Sequence, residues 1–174
     1  MSFAWVLPVV VLQRAVELVL CRRNRIALIA RGGREFHPET YPVMVALHGS
    51  FLLSLAWEAY PWRVPLDGRT IACLAALFAV TVLRYATIAT LGERWSTRIV
   101  VVPGDRVVRT GPYRLLRHPN YLVIVLEFVL LPLLMRAPLT LAVFSLASLP
   151  VLRRRIRLEE EVLREMTDFG DAFR

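Results

Sequence analysis

Residues 121–152 read YLVIVLEFVLLPLLMRAPLTLAVFSLASLPVL, and the number of times this block crosses a membrane decides the fold. Its 32 residues are interrupted by Pro132, Arg136 and Pro138, which allows either one kinked span or two short ones. A single span would carry Arg153, Arg154, Arg155 and Arg157 to the side opposite the other arginine-rich connections. Two helices turning at Arg136-Ala137-Pro138 bring them back. On the second arrangement five arginines in 21–40, six in 92–120 and six in 151–174 share one side. The other side holds Arg63, Arg69 and Arg136, an asymmetry of 17 against three. Cytoplasmic connections carry the excess of positive charge, so the block is predicted to be a helical hairpin with both ends in the cytoplasm. Each arm is short, about 20–23 Å at the helical rise, and is therefore tilted or not fully spanning.

Upstream lie three more apolar runs. Residues 3–20 are just long enough to span and carry Gln13, Arg14 and Glu17 within them. Arg14 and Glu17 are three apart and share a helix face, where each neutralises the other. Charged groups inside a span usually face the bundle interior, either as a pair that fixes packing or as a wall of a substrate cavity. Residues 42–57 form a second run, with Glu58 at its far end and His48-Gly49-Ser50 in its middle. There His48 is either an interior histidine with its needs met or a catalytic one. Residues 70–91 form a third, with Arg84 about two turns from its end, within snorkelling reach of the surface.

The expected fold is an all-α integral membrane protein with about five transmembrane helices, the last two a short hairpin, in one domain over residues 1–174. The N-terminus is expected outside and the C-terminus in the cytoplasm. Composition agrees: the chain is 56% hydrophobic, with mean hydropathy +0.51. The net charge of +8 does not point to nucleic acid, because the arginines are spread between apolar runs rather than along one face. Cys21 and Cys73 lack metal or redox spacing and read as small apolar fillers. No cleavable leader is expected.

The connections are polar. In 21–41, Ile26 to Ala30 extend the first helix, Gly32-Gly33 end it, and His37-Pro38 reads as loop. In 98–109, Ile99 to Val102 and Val107-Val108 flank Pro103-Gly104-Asp105, which predicts a small cytoplasmic β-hairpin. The densest polar stretch comes next, R-T-G-P-Y-R-L-L-R-H-P-N-Y from Arg109 to Tyr121. Gly111-Pro112 marks a turn. Arg109, Arg114 and Arg117 supply guanidinium forks suited to carboxylate or phosphate. Pro119 disfavours helix at His118 and is tolerated in the first turn of the next helix, so His118 is expected at a helix N-terminus, where an anion is welcome.

G-P-Y-R-x-x-R-H-P-x-Y, spelled by Gly111 to Tyr121, resembles the signature of the isoprenylcysteine carboxyl methyltransferase family. Leu91 to Ser96 before it and Arg157-Leu158-Glu159-Glu160 after the last apolar run agree, and the likeness covers roughly 85–163. Gln13-Arg14, Glu17 and Arg23-Asn24 resemble a small bacterial branch, in which members linked to type III polyketide synthases O-methylate alkylpyrones or alkylresorcinols. The resemblance implies a membrane enzyme using S-adenosylmethionine (SAM), with the cofactor-binding part roughly over 92–174.

SAM carries a carboxylate, an ammonium, a positive sulfonium and an adenosine that wants an apolar slot. The carboxylate suits His118 and the N–H groups after Pro119, and the ammonium suits Glu159 or Glu160. The hairpin would bring these groups together. The resemblance implies the same set, with Tyr113 and Tyr121 completing the pocket, and E-E-x-x-L fits Glu159 to Leu163. No G-x-G occurs, so the soluble nucleotide-binding alternative has no support.

Methyl transfer is mostly a positioning problem. A carboxylate acceptor needs a cation to hold it; a phenol, with a pKa of ~10, needs a base or a neighbouring positive charge. Arg117, Arg114 and Arg157 suit either. Glu127, alone in an apolar helix, is either an acceptor-side base or the partner of an arginine. The reading is a SAM-dependent O-methyltransferase of a small lipophilic acceptor in the membrane, with carboxyl methylation of isoprenylcysteine-like substrates or a catalytically silent scaffold as alternatives.

Overall fold

The computed structural model describes residues 2–172. Five long helices carry the structure: α1 (Val6–Ala30), α2 (Thr40–Glu58), α3 (Gly68–Leu91), α4 (Pro119–Met135) and α5 (Pro138–Met166). A short α6 (Phe169–Ala172) comes last, and two three-residue strands, β1 (Arg34–Phe36) and β2 (Ile99–Val101), lie in the connections.

The 121–152 block folds as two helices that reverse at Arg136. Arg136 takes a left-handed conformation (φ 58°) as the C-cap of α4, and the Ala137 amide donates back to the Pro132 carbonyl at 2.9 Å. Pro138 sits in the first turn of α5, where a missing N–H is harmless. The side chain of Glu58 closes this end by accepting from the amides of Leu139 (2.8 Å) and Thr140 (2.6 Å). Arg136 also reaches Asp67 at 2.6 Å. The arms are unequal, however. α4 has 17 residues, but α5 has 29, because the arginine- and glutamate-rich segment after Leu152 continues the same helix.

The expected β-hairpin within 99–108 does not form. β2 pairs instead with β1, antiparallel, with Arg34 opposite Val101 and Phe36 opposite Ile99. The turn after β2 is drawn away from it. The Gly104 amide donates to the Met166 carbonyl (2.8 Å) and the Val107 amide to the Asp168 carboxylate (2.7 Å), which leaves Val107-Val108 on a cavity wall. Arg25 and Arg98 clamp Glu35 from either side of the new pairing, at 2.7 and 2.6 Å.

Two helices, α2 and the one running from Gly68 through Arg94, are long and apolar enough to cross a membrane; α4 is apolar but shorter. The bundle has an apolar core, yet it also buries charged groups while leaving large apolar side chains exposed. Val16, Val19, Leu53, Phe78 and Leu146 are exposed, whereas Glu17 and Arg84 are buried. That inversion is what a lipid environment selects. It also corrects the expectation for Arg84, which does not snorkel: it is 2% exposed. α4 is the central helix, packing Tyr121, Ile124, Phe128 and Leu131 against Phe51 and Leu55 of α2 and Leu152 of α5. The segments 31–40, 92–118 and 153–172 gather at one end of the bundle, and 59–67 with 136–137 at the other.

Candidate active site

The site forms where α4 begins and α5 passes it. Arg155 and Glu159 are four residues apart, so they share the face of α5 that meets α4. Tyr121, one turn into α4, stands between them. Its hydroxyl donates to Glu159 Oε2 at 2.5 Å and accepts from Arg155 Nε at 3.1 Å. The rest of the Arg155 guanidinium is committed to Thr40 Oγ1 (3.0 Å) and the Thr97 carbonyl (2.5 Å). One buried arginine thus ties α2, α4, α5 and the strand connection into a single frame.

A second pair lies beside the first. His118 Nε2 meets Glu160 Oε1 at 3.0 Å, and Arg164 holds the other oxygen of the same carboxylate. Burial by itself would raise the Glu160 carboxyl, but His118 and then Arg164 outweigh it and hold it below the usual carboxylate range. The Tyr113 phenol is pushed well up by burial and, secondarily, by the Glu159 carboxylate. The amides of Tyr121 and Leu122 turn back to the His118 carbonyl, at 3.2 and 3.3 Å. The N-terminus of α4 therefore offers fewer outward donors than its sequence suggests.

Tyr113, His118, Tyr121, Arg155 and Glu159 border a cavity of about 420 Å³, within the size range of small-molecule sites. Tyr113, Arg117, His118, Asn120, Glu159 and Phe169 line its outer part, Tyr41, Met44, Trp95 and Ile124 its middle, and Arg14, Glu17, His48 and Arg84 its inner part. Leu18 of α1 and Val45 of α2 also line it while being 46% and 50% exposed, so the wall reaches the apolar outer surface between those helices.

At the inner part, four charges neutralise one another. Arg14 binds Glu17 (2.7 Å) and Glu127 (2.8 Å), and Arg84 binds the same two carboxylates at 3.1 and 2.5 Å. Gln13 adds a bond to Glu17 at 3.1 Å. Arg14 and Glu17 thus form both a packing pair and a wall of the cavity.

Of the residues singled out from sequence, Tyr113, Arg117, His118, Tyr121 and Glu159 stand on the cavity wall. Pro119 starts α4 behind them, and Glu160 stands behind His118. Two expectations are corrected. Glu127 does not line the main cavity, and both its oxygens accept from guanidinium groups, which makes it a poor base. Arg157 is exposed on the far side of α5, because two helical residues turn about 200° from Arg155. Arg155 occupies the place expected for it. Sequence reasoning missed Arg155, Trp95 and Phe169; the i, i+4 spacing of Arg155 to Glu159 was the available signal.

Among the described residues, three buried polar atoms of cavity-lining side chains have no hydrogen-bond partner: Trp95 Nε1, Asn120 Oδ1 and, at the inner part, Arg84 Nε. A buried N–H donor and a buried carbonyl acceptor left unmet by protein are costly, and both Trp95 and Asn120 border the cavity. With the Glu159 carboxylate they fit a ligand having an ammonium, polar edges and an apolar body.

Residues 71–165, more than half of the chain, match the isoprenylcysteine carboxyl methyltransferase (ICMT) family. The chain belongs to that family. ICMT family members use SAM, and membership with the apolar helices suggests a membrane methyltransferase-like protein. Among similar proteins, the uncharacterized protein YpbQ of Bacillus subtilis (strain 168) is 36% identical over 162 residues, covering 92% of this chain and 96% of the relative. An uncharacterized protein of Haemophilus influenzae (strain ATCC 51907 / DSM 11121 / KW20 / Rd) is 29% identical over 164 residues, covering 93% and 92%. No solved structure matches. Both likenesses run over nearly the whole chain, so they include α1 and α2, which lie outside the family match.

Proposed function

We propose that this protein is a membrane SAM-dependent O-methyltransferase acting on the hydroxyl of a small lipophilic acceptor, of the alkylpyrone or alkylresorcinol type. The observation that carries the reading is the cavity itself. Its outer part gathers His118, Tyr121 and Glu159 around unmet Trp95 and Asn120 groups, and its inner part reaches an apolar surface.

When bound, SAM supplies an electrophilic methyl group on a positively charged sulfur. Glu159 and Asn120 Oδ1 would receive the cofactor's ammonium, Arg117 and His118 would face its carboxylate, and Tyr113 and Trp95 would border its adenosine. Arg155 positions Tyr121, and through it Glu159, so this acceptor face is rigid before ligand arrives. The opening between Leu18 and Val45 suits an alkyl chain that stays in lipid while its head enters the cavity.

The neutral inner cluster favours a hydroxyl over a carboxylate acceptor. A carboxylate would need a guanidinium fork, and those of Arg14 and Arg84 are already matched by Glu17 and Glu127. The arginine asymmetry supports a cytoplasmic cofactor site, with the N-terminus outside. A type III polyketide synthase pathway is the expected source of such an acceptor.

The test is direct. Purified protein in detergent should bind S-adenosylhomocysteine by calorimetry, and should transfer labelled methyl from SAM to an alkylresorcinol or alkylpyrone in preference to a farnesylated cysteine analogue. Absence of cofactor binding by folded protein refutes the enzyme reading; preference for the cysteine analogue refutes the acceptor class.

A further inference from the structure

We propose that His48 is the general base that takes the acceptor's proton, an inference that rests on the O-methyltransferase reading above. His48 lies in the middle of α2 and lines the inner part of the cavity. Its Nδ1 lies 2.8 Å from the Met44 carbonyl, which only accepts, so Nδ1 carries the proton and Nε2 presents a lone pair. Phe128 holds the ring from behind, with centroids 5.1 Å apart. Among the described residues, none hydrogen-bonds to Nε2.

The other titratable groups around it are spoken for. Glu17 of α1 accepts from Gln13, Arg14 and Arg84. Glu127 of α4 accepts from Arg14 and Arg84. Tyr41, on the same helix nearer the mouth, lies under the Arg98 guanidinium at 3.9 Å. These groups, with Arg14 from α1 and Arg84 from α3, are the charges that face His48. Their formal charges sum to zero, and each is already matched within the cluster. His48 is thus the base with an available lone pair at the inner end, where a hydroxyl on an alkyl chain would arrive.

In the step, the acceptor O–H bond breaks and its proton passes to Nε2. The oxygen lone pair forms the O–CH₃ bond while the methyl–sulfur bond breaks, its electron pair remaining on sulfur and discharging the positive charge. The imidazolium then returns its proton to water at the cavity mouth. A base matters for a phenol, whose pKa is ~10, and little for an acceptor already ionised at neutral pH. The effect of losing His48 must therefore depend on acceptor acidity.

His48→Gln and His48→Asn, in the full chain in detergent, should each lower kcat for an alkylresorcinol by ~10²–10⁴-fold, the worth of a positioned base. An alkylpyrone, whose enol is far more acidic, should lose less than about tenfold. Affinity for S-adenosylhomocysteine, read by calorimetry, should stay within about twofold, since the substitution is remote from the cofactor end. The rising limb of the wild-type pH–rate profile should be missing in both variants. In the ternary complex with S-adenosylhomocysteine, the phenolate absorption of bound alkylresorcinol should develop at lower pH in the wild type than in the variants. Equal losses with both acceptors at unchanged cofactor affinity would make His48 a packing residue and overturn the assignment, as would unchanged rates. A wild type that binds S-adenosylhomocysteine yet methylates neither acceptor overturns the proposed function itself.

Discussion

Replacing Glu127 by glutamine tests whether the inner cluster is held together by charge. The substitution keeps size and shape but turns a neutral set of two arginines and two glutamates into one with a net positive charge. It affects the bonds from Arg14 at 2.8 Å and Arg84 at 2.5 Å. Arg84 is 2% exposed and cannot turn to solvent, whereas Arg14 is 19% exposed and can relax in part. Removing one partner of a buried pair costs about 3–5 kcal/mol, and the freedom of Arg14 puts the expectation at the lower end. For a chain of this size that lowers Tm by roughly 6–12 °C. Cys21 and Cys73 are free and buried, so a thiol-reactive dye reports the transition without further labelling. Glu127→Leu combined with Arg84→Met restores neutrality, leaving Arg14 with Glu17, and should destabilise less than Glu127→Gln alone. A Tm for Glu127→Gln within about 2 °C of wild type, or a double variant weaker than the single one, would refute the reasoning.

Three further outcomes rest on the same geometry. Tyr121→Phe removes the hydroxyl that joins Arg155 to Glu159 and leaves a buried guanidinium N–H unmet; it should cost about 1–3 kcal/mol by thermal unfolding and weaken S-adenosylhomocysteine binding in calorimetry. Glu160 titrates below its ordinary 4.5 because His118 and Arg164 outweigh its burial, so its stabilisation is complete above about pH 4.5 and is lost as pH falls through the lower folded value. Wild-type Tm should accordingly drop more steeply below pH 4.5 than that of Glu160→Gln, as read by parallel melts. Single cysteines at Leu66 and Glu165, in a chain with Cys21 and Cys73 replaced, should react with an impermeant maleimide from opposite sides of the membrane; labelling from the same side would overturn the hairpin topology.

Much of the fold is legible in the sequence because the lengths of apolar runs and the placement of prolines and arginines are simple constraints. The turn at Arg136-Ala137-Pro138 is implied by two prolines and the distribution of arginines, and that turn brings His118 next to Glu160 across 42 residues of sequence. The β-hairpin expected within 99–108 fails for a reason local pattern cannot supply. Val107-Val108 has strand composition, but the Val107 amide is claimed by Asp168 and the Gly104 amide by Met166, and the ladder goes to Arg34–Phe36. Arg157 adjoins the glutamate pair in sequence, while helical geometry gives the site to Arg155. Arg84 lies close enough to a helix end to reach the surface on sequence grounds. Two carboxylates on other helices, neither adjacent in sequence, hold it inside.

The two ends of the cavity come from different parts of the chain, and this bears on how acceptor choice is encoded. Tyr113, His118, Tyr121 and Glu159 fall within the matched ICMT segment 71–165, as does the Arg155 that braces them. Arg14, Glu17, Leu18, Met44, Val45 and His48 fall before it, on α1 and α2, yet they make most of the inner wall. On the proposed reading, the common chemistry of methyl donation belongs to the matched segment, and recognition of the acceptor belongs to the first two helices. The structure gives that division a physical hinge. Arg84 and Glu127, from the matched segment, enter the inner cluster only as partners for Arg14 and Glu17, so a change of acceptor wall must keep the cluster neutral. Substitutions at Leu18, Met44 or Val45 alter shape without touching that balance. Those at Arg14 or Glu17 do not, because a buried charge left without its partner costs more than a change in packing. Acceptor range can therefore vary most readily through the apolar wall residues, while the charged ones are held in place by stability.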